Sequence, residues 1–290
     1  MKRTLFLTLT LALTLSASAQ WGPQSKVETK TIQSKVLGAE RQYSIFLPKS
    51  YEVDTNKKYP ILYLLHGMSG INTSWFQDQR AKEVADLLIA SGEACEMIIV
   101  SPNAGGSIQE GAWNGYFDMP GWKYETFFYT EFLPHIESTY RVKADKQHRA
   151  IAGLSMGGGG ATSYAQRHSD MFCAAYAISA LMSIPEQGAA PSQQPDDKMA
   201  ILTRSVIENS CVRYVEEADD ARKQQLRSVA WFVDCGDDDF LLDRNLEFVQ
   251  AMRKAGIPFE FRVRDGGHVN EYWHSALYIC LPYVSRAFGK

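Results

Sequence analysis

The sequence predicts an α/β fold, with a mostly parallel central sheet, an antiparallel N-terminal edge and helices on both faces. Two observations carry that expectation. Pro60-Ile61-Leu62-Tyr63-Leu64-Leu65 and Met97-Ile98-Ile99-Val100 are almost unbroken apolar runs, and continuous hydrophobicity of this kind marks strands buried on both faces. Further strand-like runs at residues 150–152, 173–178, 229–233 and 259–263 alternate with helically spaced stretches at 80–89, 125–136, 241–255 and 272–288. Regular alternation implies parallel strands joined by helical crossovers.

At the N-terminus, Lys2 and Arg3, an apolar run at 5–15 and then Ala17-Ser18-Ala19 have the layout of a secretory signal peptide. Removal of residues 1–19 would leave 20–290 as one domain, periplasmic or extracellular. The apolar run is too short for a stable membrane anchor. Residues 27–48 alternate around Gly38-Ala39, as an antiparallel hairpin at a sheet edge does. The helix over 125–136 is expected to close near Pro134.

Two stretches break the rhythm. Residues 102–122 are rich in glycine and aromatics, including Trp113, Tyr116, Phe117 and Trp122. They follow a strand end, where such sheets place ligand loops, so a substrate platform is preferred to a loop packed on its own aromatics. Residues 183–198 hold Pro185, Gly188, Pro191 and Pro195 and lead into a charged helical segment at 199–226. Residues 183–228 read as an insertion over the sheet top, either a cap or a solvated excursion.

The 290 residues are 45% hydrophobic, enough for a sizeable core, and 30 basic against 33 acidic residues give a net charge of −3. Nothing in that balance draws the chain to nucleic acid or to an anionic membrane. Five cysteines, Cys95, Cys173, Cys211, Cys235 and Cys280, show no C-x-x-C metal pairing. Cys95, Cys173 and Cys235 lie in or beside apolar runs and read as small buried hydrophobes; disulfide pairing stays open.

The chemistry gathers at Gly153-Leu154-Ser155-Met156-Gly157, which lies between a strand run and a helix-compatible segment at 161–168. This is the pattern of a nucleophile elbow, in which glycines two residues either side of a serine avoid collision in a tight turn. A phosphate cradle is disfavoured, because the run Gly157 to Gly160 is followed by Ala161-Thr162 rather than Lys-Ser or Lys-Thr. A serine hydroxyl needs a base and the base needs an orienting acid. Of six histidines, His268 follows the strand run 259–263 within Asp265-Gly266-Gly267-His268, on a loop at a strand's C-terminal end. The strand run at 229–233 ends in Asp234-Cys235-Gly236-Asp237-Asp238-Asp239, so acids occupy the remaining position, with Asp237, Asp238 and Asp239 all candidates. Mutual repulsion allows at most one of them to face the histidine.

The motifs Leu64-Leu65-His66-Gly67-Met68-Ser69-Gly70 with Trp75, Gly153-Leu154-Ser155-Met156-Gly157-Gly158, Cys235-Gly236-Asp237-Asp238-Asp239-Phe240-Leu241 and Gly267-His268 with Tyr272-Trp273 occur in this order. Across nearly the whole mature chain they resemble the esterase-D-like family of α/β hydrolases, which includes feruloyl esterases, acetyl xylan esterases, S-formylglutathione hydrolases and mycolyltransferases. The resemblance implies an α/β-hydrolase fold, Ser155 as nucleophile, His268 as base and Asp239, third after the glycine, as acid. It implies an oxyanion hole from the backbone N–H groups of Met68 and Met156, whose side chains would line an apolar pocket. Trp113, Tyr116 and Trp273 are the expected substrate-binding aromatics, and no metal or organic cofactor is indicated.

The expected function is a secreted serine carboxylesterase acting on feruloyl esters of plant cell-wall polysaccharide through an acyl-enzyme. The alternatives are an acetyl xylan esterase, an acyltransferase to a carbohydrate acceptor and a non-catalytic carbohydrate-binding protein. The expected ligand is a small or polysaccharide-linked ester.

Overall fold

A computed structural model describes residues 24–186 and 197–290; the predicted signal peptide and residues 187–196 of the predicted insertion fall outside them. The strands are β1 (Lys26–Ser34), β2 (Ala39–Leu47), β3 (Ile61–Leu65), β4 (Ile98–Pro102), β5 (Asp118–Met119), β6 (Trp122–Lys123), β7 (Arg149–Leu154), β8 (Ala174–Ile178), β9 (Ala230–Gly236) and β10 (Glu260–Arg264). The helices are α1 (Ser74–Gln77), α2 (Ala81–Ala90), α3 (Tyr124–Phe127), α4 (Leu133–Thr139), α5 (Met156–Arg167), α6 (Lys198–Glu208), α7 (Cys211–Glu216), α8 (Asp220–Leu226), α9 (Leu242–Lys254) and α10 (Asn270–Ala287).

Eight strands form one sheet in the order β1-β2-β4-β3-β7-β8-β9-β10. β1 pairs antiparallel with β2 and β2 antiparallel with β4, whereas every later pairing is parallel. The antiparallel N-terminal edge and the parallel remainder are those the sequence predicts. In β3, Ile61, Tyr63 and Leu65 face one core and Leu62 and Leu64 the other, the alternation a pleated strand imposes. The first core also receives Phe128, Tyr164 and Phe248, from the helices on that face. The second takes Val84 and Leu88 of α2 and Leu277 and Leu281 of α10. All five cysteines are unpaired, four of them buried.

Two expectations are corrected and one is refined. The helix that starts at Tyr124 runs on to Thr139, because residues Phe128–Phe132 form a π-helical turn. Pro134 sits in the first turn of α4, where a missing N–H costs a helix little. The segment expected to be helical over 199–226 is helical, divided into α6, α7 and α8. Ser210 and Asp219 accept hydrogen bonds from the backbone N–H groups of Arg213 and Arg222 and restart α7 and α8 as N-caps. Residues 102–122 do not form an open platform: Tyr116, Phe117 and Trp122 are 1%, 6% and 7% exposed and belong to the core. The loop closes on itself through a bridge between Gly105 and Asn114.

Candidate active site

Chain order sets where the site lies. From β3 the chain moves outward to β4, and from β7 it moves the other way to β8, so the loops leaving β3 and β7 diverge. A crevice opens at such a switch point, beyond the C-terminal ends of the strands. Ser155 stands there, between β7 and α5, with φ 53° and ψ −120°. A non-glycine residue with positive φ costs on the order of 1–3 kcal/mol, so the surroundings must impose it. Ser155 N–H donates to the Ile178 carbonyl at 2.9 Å, and its carbonyl accepts from Gly159 N–H at 3.1 Å and Leu181 N–H at 2.9 Å. The flanking glycines are required sterically. A Cβ on Gly153 would lie 2.3 Å from the Gly157 carbonyl oxygen, and one on Gly157 would lie 2.4 Å from those of Leu65 and His66.

His268 lies between β10 and α10, and its Nε2 is 3.0 Å from Ser155 Oγ. Its Nδ1 is 3.0 and 2.9 Å from the two carboxylate oxygens of Asp239. With Nδ1–H donating to the carboxylate, Nε2 is left as the acceptor that faces the hydroxyl. The three aspartates divide as repulsion requires. Asp237 and Asp238 are exposed and Asp239 is 4% exposed, turned toward the imidazole. Burial alone would raise the Asp239 carboxyl, but hydrogen bonds from His268, from Leu241 N–H and from the Ser179 hydroxyl outweigh it and hold it below the ordinary value. The carboxylate therefore stays ionised beside the imidazole. Trp273 Nε1–H donates to Ser179 Oγ at 3.1 Å, and the Trp273 ring meets His268 edge-on at 4.9 Å. Phe240 also packs against that imidazole, 4.5 Å between ring centroids.

The backbone N–H of Met156 is the first of α5, and the first N–H groups of a helix have no partner within it. Across the crevice, Met68 belongs to the loop 66–70, which His66 holds in shape. His66 Nδ1–H donates to the Gly67 carbonyl at 2.8 Å and its Nε2 accepts from Ala104 N–H at 3.0 Å. Complete burial, with a smaller contribution from Arg41, lowers the His66 pKa from 6.5 to about 4. The neutral ring suits the fold, since a protonated Nε2 cannot accept from Ala104.

This sets a pH dependence. Unfolded His66 takes up a proton near its ordinary value while the folded residue does not, so the stability present above pH 6.5 is lost progressively as pH falls toward about 4. The expected loss is roughly 3 kcal/mol over that window. Urea unfolding of the wild type and His66→Gln between pH 7 and pH 4 checks it; the variant is expected to lose one proton's worth of slope.

Ser155 and His268 open into a cavity of about 430 Å³, lined also by Met68, Gln79, Phe240 and Trp273. Of the predicted substrate-binding aromatics, Trp273 is in this wall. Tyr116 is not available to a ligand: its ring is buried and its hydroxyl donates to the His66 carbonyl at 2.9 Å. It supports the loop instead. Trp113 lies outside the lining, against Gly121 and beneath Lys198. Met68 is half exposed and lines the cavity, whereas the Met156 side chain is buried in the core. No described residue of 183–228 reaches the lining. Carboxylate oxygens of the exposed Asp237, Asp238 and Asp265 lie within 4.8 Å of one another, an acidic surface cluster with nothing else pointing to a cation. Sequence reasoning missed Ser179 and Gln79, which carry no motif; the position of Ser179 directly after a strand run was the one available signal.

The chain is similar to several known proteins. The family model described as "Putative esterase" matches residues 34–283. A solved structure called ferulic acid esterase is 72% identical, with a TM-score of 0.88, covering 92% of this chain and 99% of that one. Esterase Rv1288 of Mycobacterium tuberculosis is 28% identical over 264 residues, which is 82% of this chain and 54% of that protein. The endo-1,4-beta-xylanase/feruloyl esterase of Xylanibacter ruminicola is 32% identical over 149 residues, half of this chain and 20% of that protein. The chain thus spans about half the length, or less, of these curated relatives.

Proposed function

The chain belongs to the Esterase family of α/β hydrolases and carries a carboxylic ester hydrolase domain; from that premise we propose that it is a secreted serine esterase releasing feruloyl and related hydroxycinnamoyl groups from plant cell-wall polysaccharide through an acyl-enzyme. The observation that carries the chemistry is the unbroken run of hydrogen bonds from Asp239 through His268 to Ser155. His268 Nε2 takes the hydroxyl proton as Ser155 Oγ attacks the ester carbonyl, and the Asp239 carboxylate stabilises the imidazolium that forms. Negative charge on the carbonyl oxygen is met by the N–H groups of Met156 and Met68, the first reinforced by the α5 dipole. His268 then returns the proton to the departing alcohol, and water attacks the acyl-enzyme by the same route.

The feruloyl half of this reading draws on the likeness to a ferulic acid esterase and on a cavity walled by Met68, Phe240 and Trp273, which suits a flat aromatic acyl group. Incubation with methyl ferulate and with feruloylated arabinoxylan, monitoring ferulic acid by chromatography, tests it. Cleavage of p-nitrophenyl acetate with no release of ferulic acid would refute the feruloyl assignment and leave ester hydrolysis intact.

Export is a separate expectation. When residues 1–290 are expressed in an exporting bacterial host, the mature protein is expected to begin at Gln20 and to be found in the periplasm or medium. N-terminal sequencing of each fraction checks this, and an unprocessed cytosolic chain contradicts it.

A further inference from the structure

Ser179 lies behind the proton relay and outside the cavity lining. It follows β8 directly, is fully buried and has φ 46°, in the left-handed region where a non-glycine residue is uncommon. Glycine would take up that conformation freely, so a serine standing there points to a use for its hydroxyl. The backbone around it is held on several sides. Ser179 N–H donates to the Asp234 carbonyl at 2.7 Å, and Leu181 N–H donates to the Ser155 carbonyl at 2.9 Å. Between them, the Asn245 side-chain amide bonds the N–H and the carbonyl of Ala180, at 3.3 and 2.9 Å. The glycine run of α5 lets the helix approach this segment: a Cβ on Gly159 would lie 2.2 Å from the Leu181 carbonyl oxygen, and one on Gly158 would lie 2.7 Å from Ala180 Cβ.

The partners of the hydroxyl fix the direction of its proton. An indole N–H only donates and a carboxylate only accepts. Ser179 Oγ accepts from Trp273 Nε1–H at 3.1 Å, so its single proton is left for the Asp239 carboxylate, to which it is hydrogen-bonded. We propose that Ser179 is a positioning residue for ester hydrolysis: its hydroxyl, oriented by Trp273, holds the Asp239 carboxylate in the rotation that presents both oxygens to His268 Nδ1. The inference rests on the reading of Ser155, His268 and Asp239 given above. Leu241 N–H braces the same carboxylate at Oδ1, at 2.9 Å, and the Ser179 hydroxyl supplies the second brace. Without it the carboxylate turns more freely and the imidazole is aligned with Ser155 less of the time. Because Trp273 is also part of the cavity wall, one hydroxyl ties that wall to the acid.

Two variants remove the same hydroxyl and differ in backbone fit. Ser179→Gly suits the positive φ and Ser179→Ala does not, so the glycine variant is expected to melt at the higher temperature of the two. Both are expected to lose about tenfold in kcat on p-nitrophenyl acetate, as loss of a hydrogen bond to a charged group does, with KM changed by less than about twofold. Equal losses at unequal stability tie the effect to the hydroxyl, whereas a purely structural residue would lose activity in step with stability. In an Asp239→Asn background, Ser179→Gly is expected to cost less than about twofold, because the group it braces is gone. Trp273→Phe keeps a ring and removes the N–H; it is expected to lower kcat by about threefold alone and to add nothing to Ser179→Gly, and it serves if neither Ser179 variant folds. An unchanged kcat in Ser179→Gly, or a tenfold loss that persists in the Asp239→Asn background, overturns the inference, and an inactive Ser155→Ala measured alongside leaves the triad reading standing. A Ser155→Ala variant that turns over at the wild-type rate fails the triad reading and this inference with it.

Discussion

Replacing Ser155 with alanine is expected to lower kcat on methyl ferulate by a factor on the order of 10⁶. Ser69 and Ser74 also line the crevice, but among the described residues the hydroxyl that His268 Nε2 faces, at 3.0 Å, is that of Ser155. The effects of triad members are strongly non-additive, because without the nucleophile the base has no proton to take. A Ser155→Ala, His268→Ala double variant is therefore expected to be no slower than Ser155→Ala. The folded state gains no new clash from alanine, so the far-ultraviolet circular dichroism of the variant is expected to match the wild type. Steady-state kinetics together with labelling by a fluorophosphonate probe check this result. Wild-type-like turnover, or labelling of another residue, removes Ser155 from the mechanism.

Asp239→Asn is expected to lower kcat by roughly 10⁴-fold with little change in fold. The carboxylate accepts from His268 Nδ1–H, which keeps the free lone pair on Nε2, toward Ser155. An amide in its place can donate to Nδ1 and so favour the opposite tautomer, whose Nε2–H cannot take the serine proton. The neighbouring carboxylate provides the contrast. Asp238 is exposed, and its carboxylate clusters with those of Asp237 and Asp265, so Asp238→Asn is expected to leave kcat within about twofold, as surface substitutions usually do. Parallel kinetics on the two variants check the assignment, and a larger loss in Asp238→Asn reverses it.

Much of the fold could be read from residue patterns because burial on both faces leaves a strong local signature. β3 is apolar throughout and β4 is apolar from Ile98 to Val100, and the hairpin of β1 and β2 alternates around Gly38. The turn at Ser155 was legible for a similar reason: steric crowding demands glycine at 153 and 157, and a glycine is visible in a sequence. The aromatic loop misled because ring content says nothing about direction. Tyr116 serves the core and the His66 carbonyl, and only the path of the folded chain decides that. Gln79 and Ser179 were silent for a different reason. Their partners Asn270 and Trp273 lie 191 and 94 residues away in sequence, so no local pattern announces them.

The strained turn at Ser155 has one more consequence. Its amide and carbonyl are bonded to Ile178, at the end of β8, and to Leu181 just beyond it, so the Ser155 hydroxyl is mounted on the middle of the sheet. Local opening draws on weakly bonded surface segments first. On warming, Ser155 is therefore expected to keep its posture until the sheet itself melts, and hydrolysis is expected to fade earlier only through the loop that carries His268.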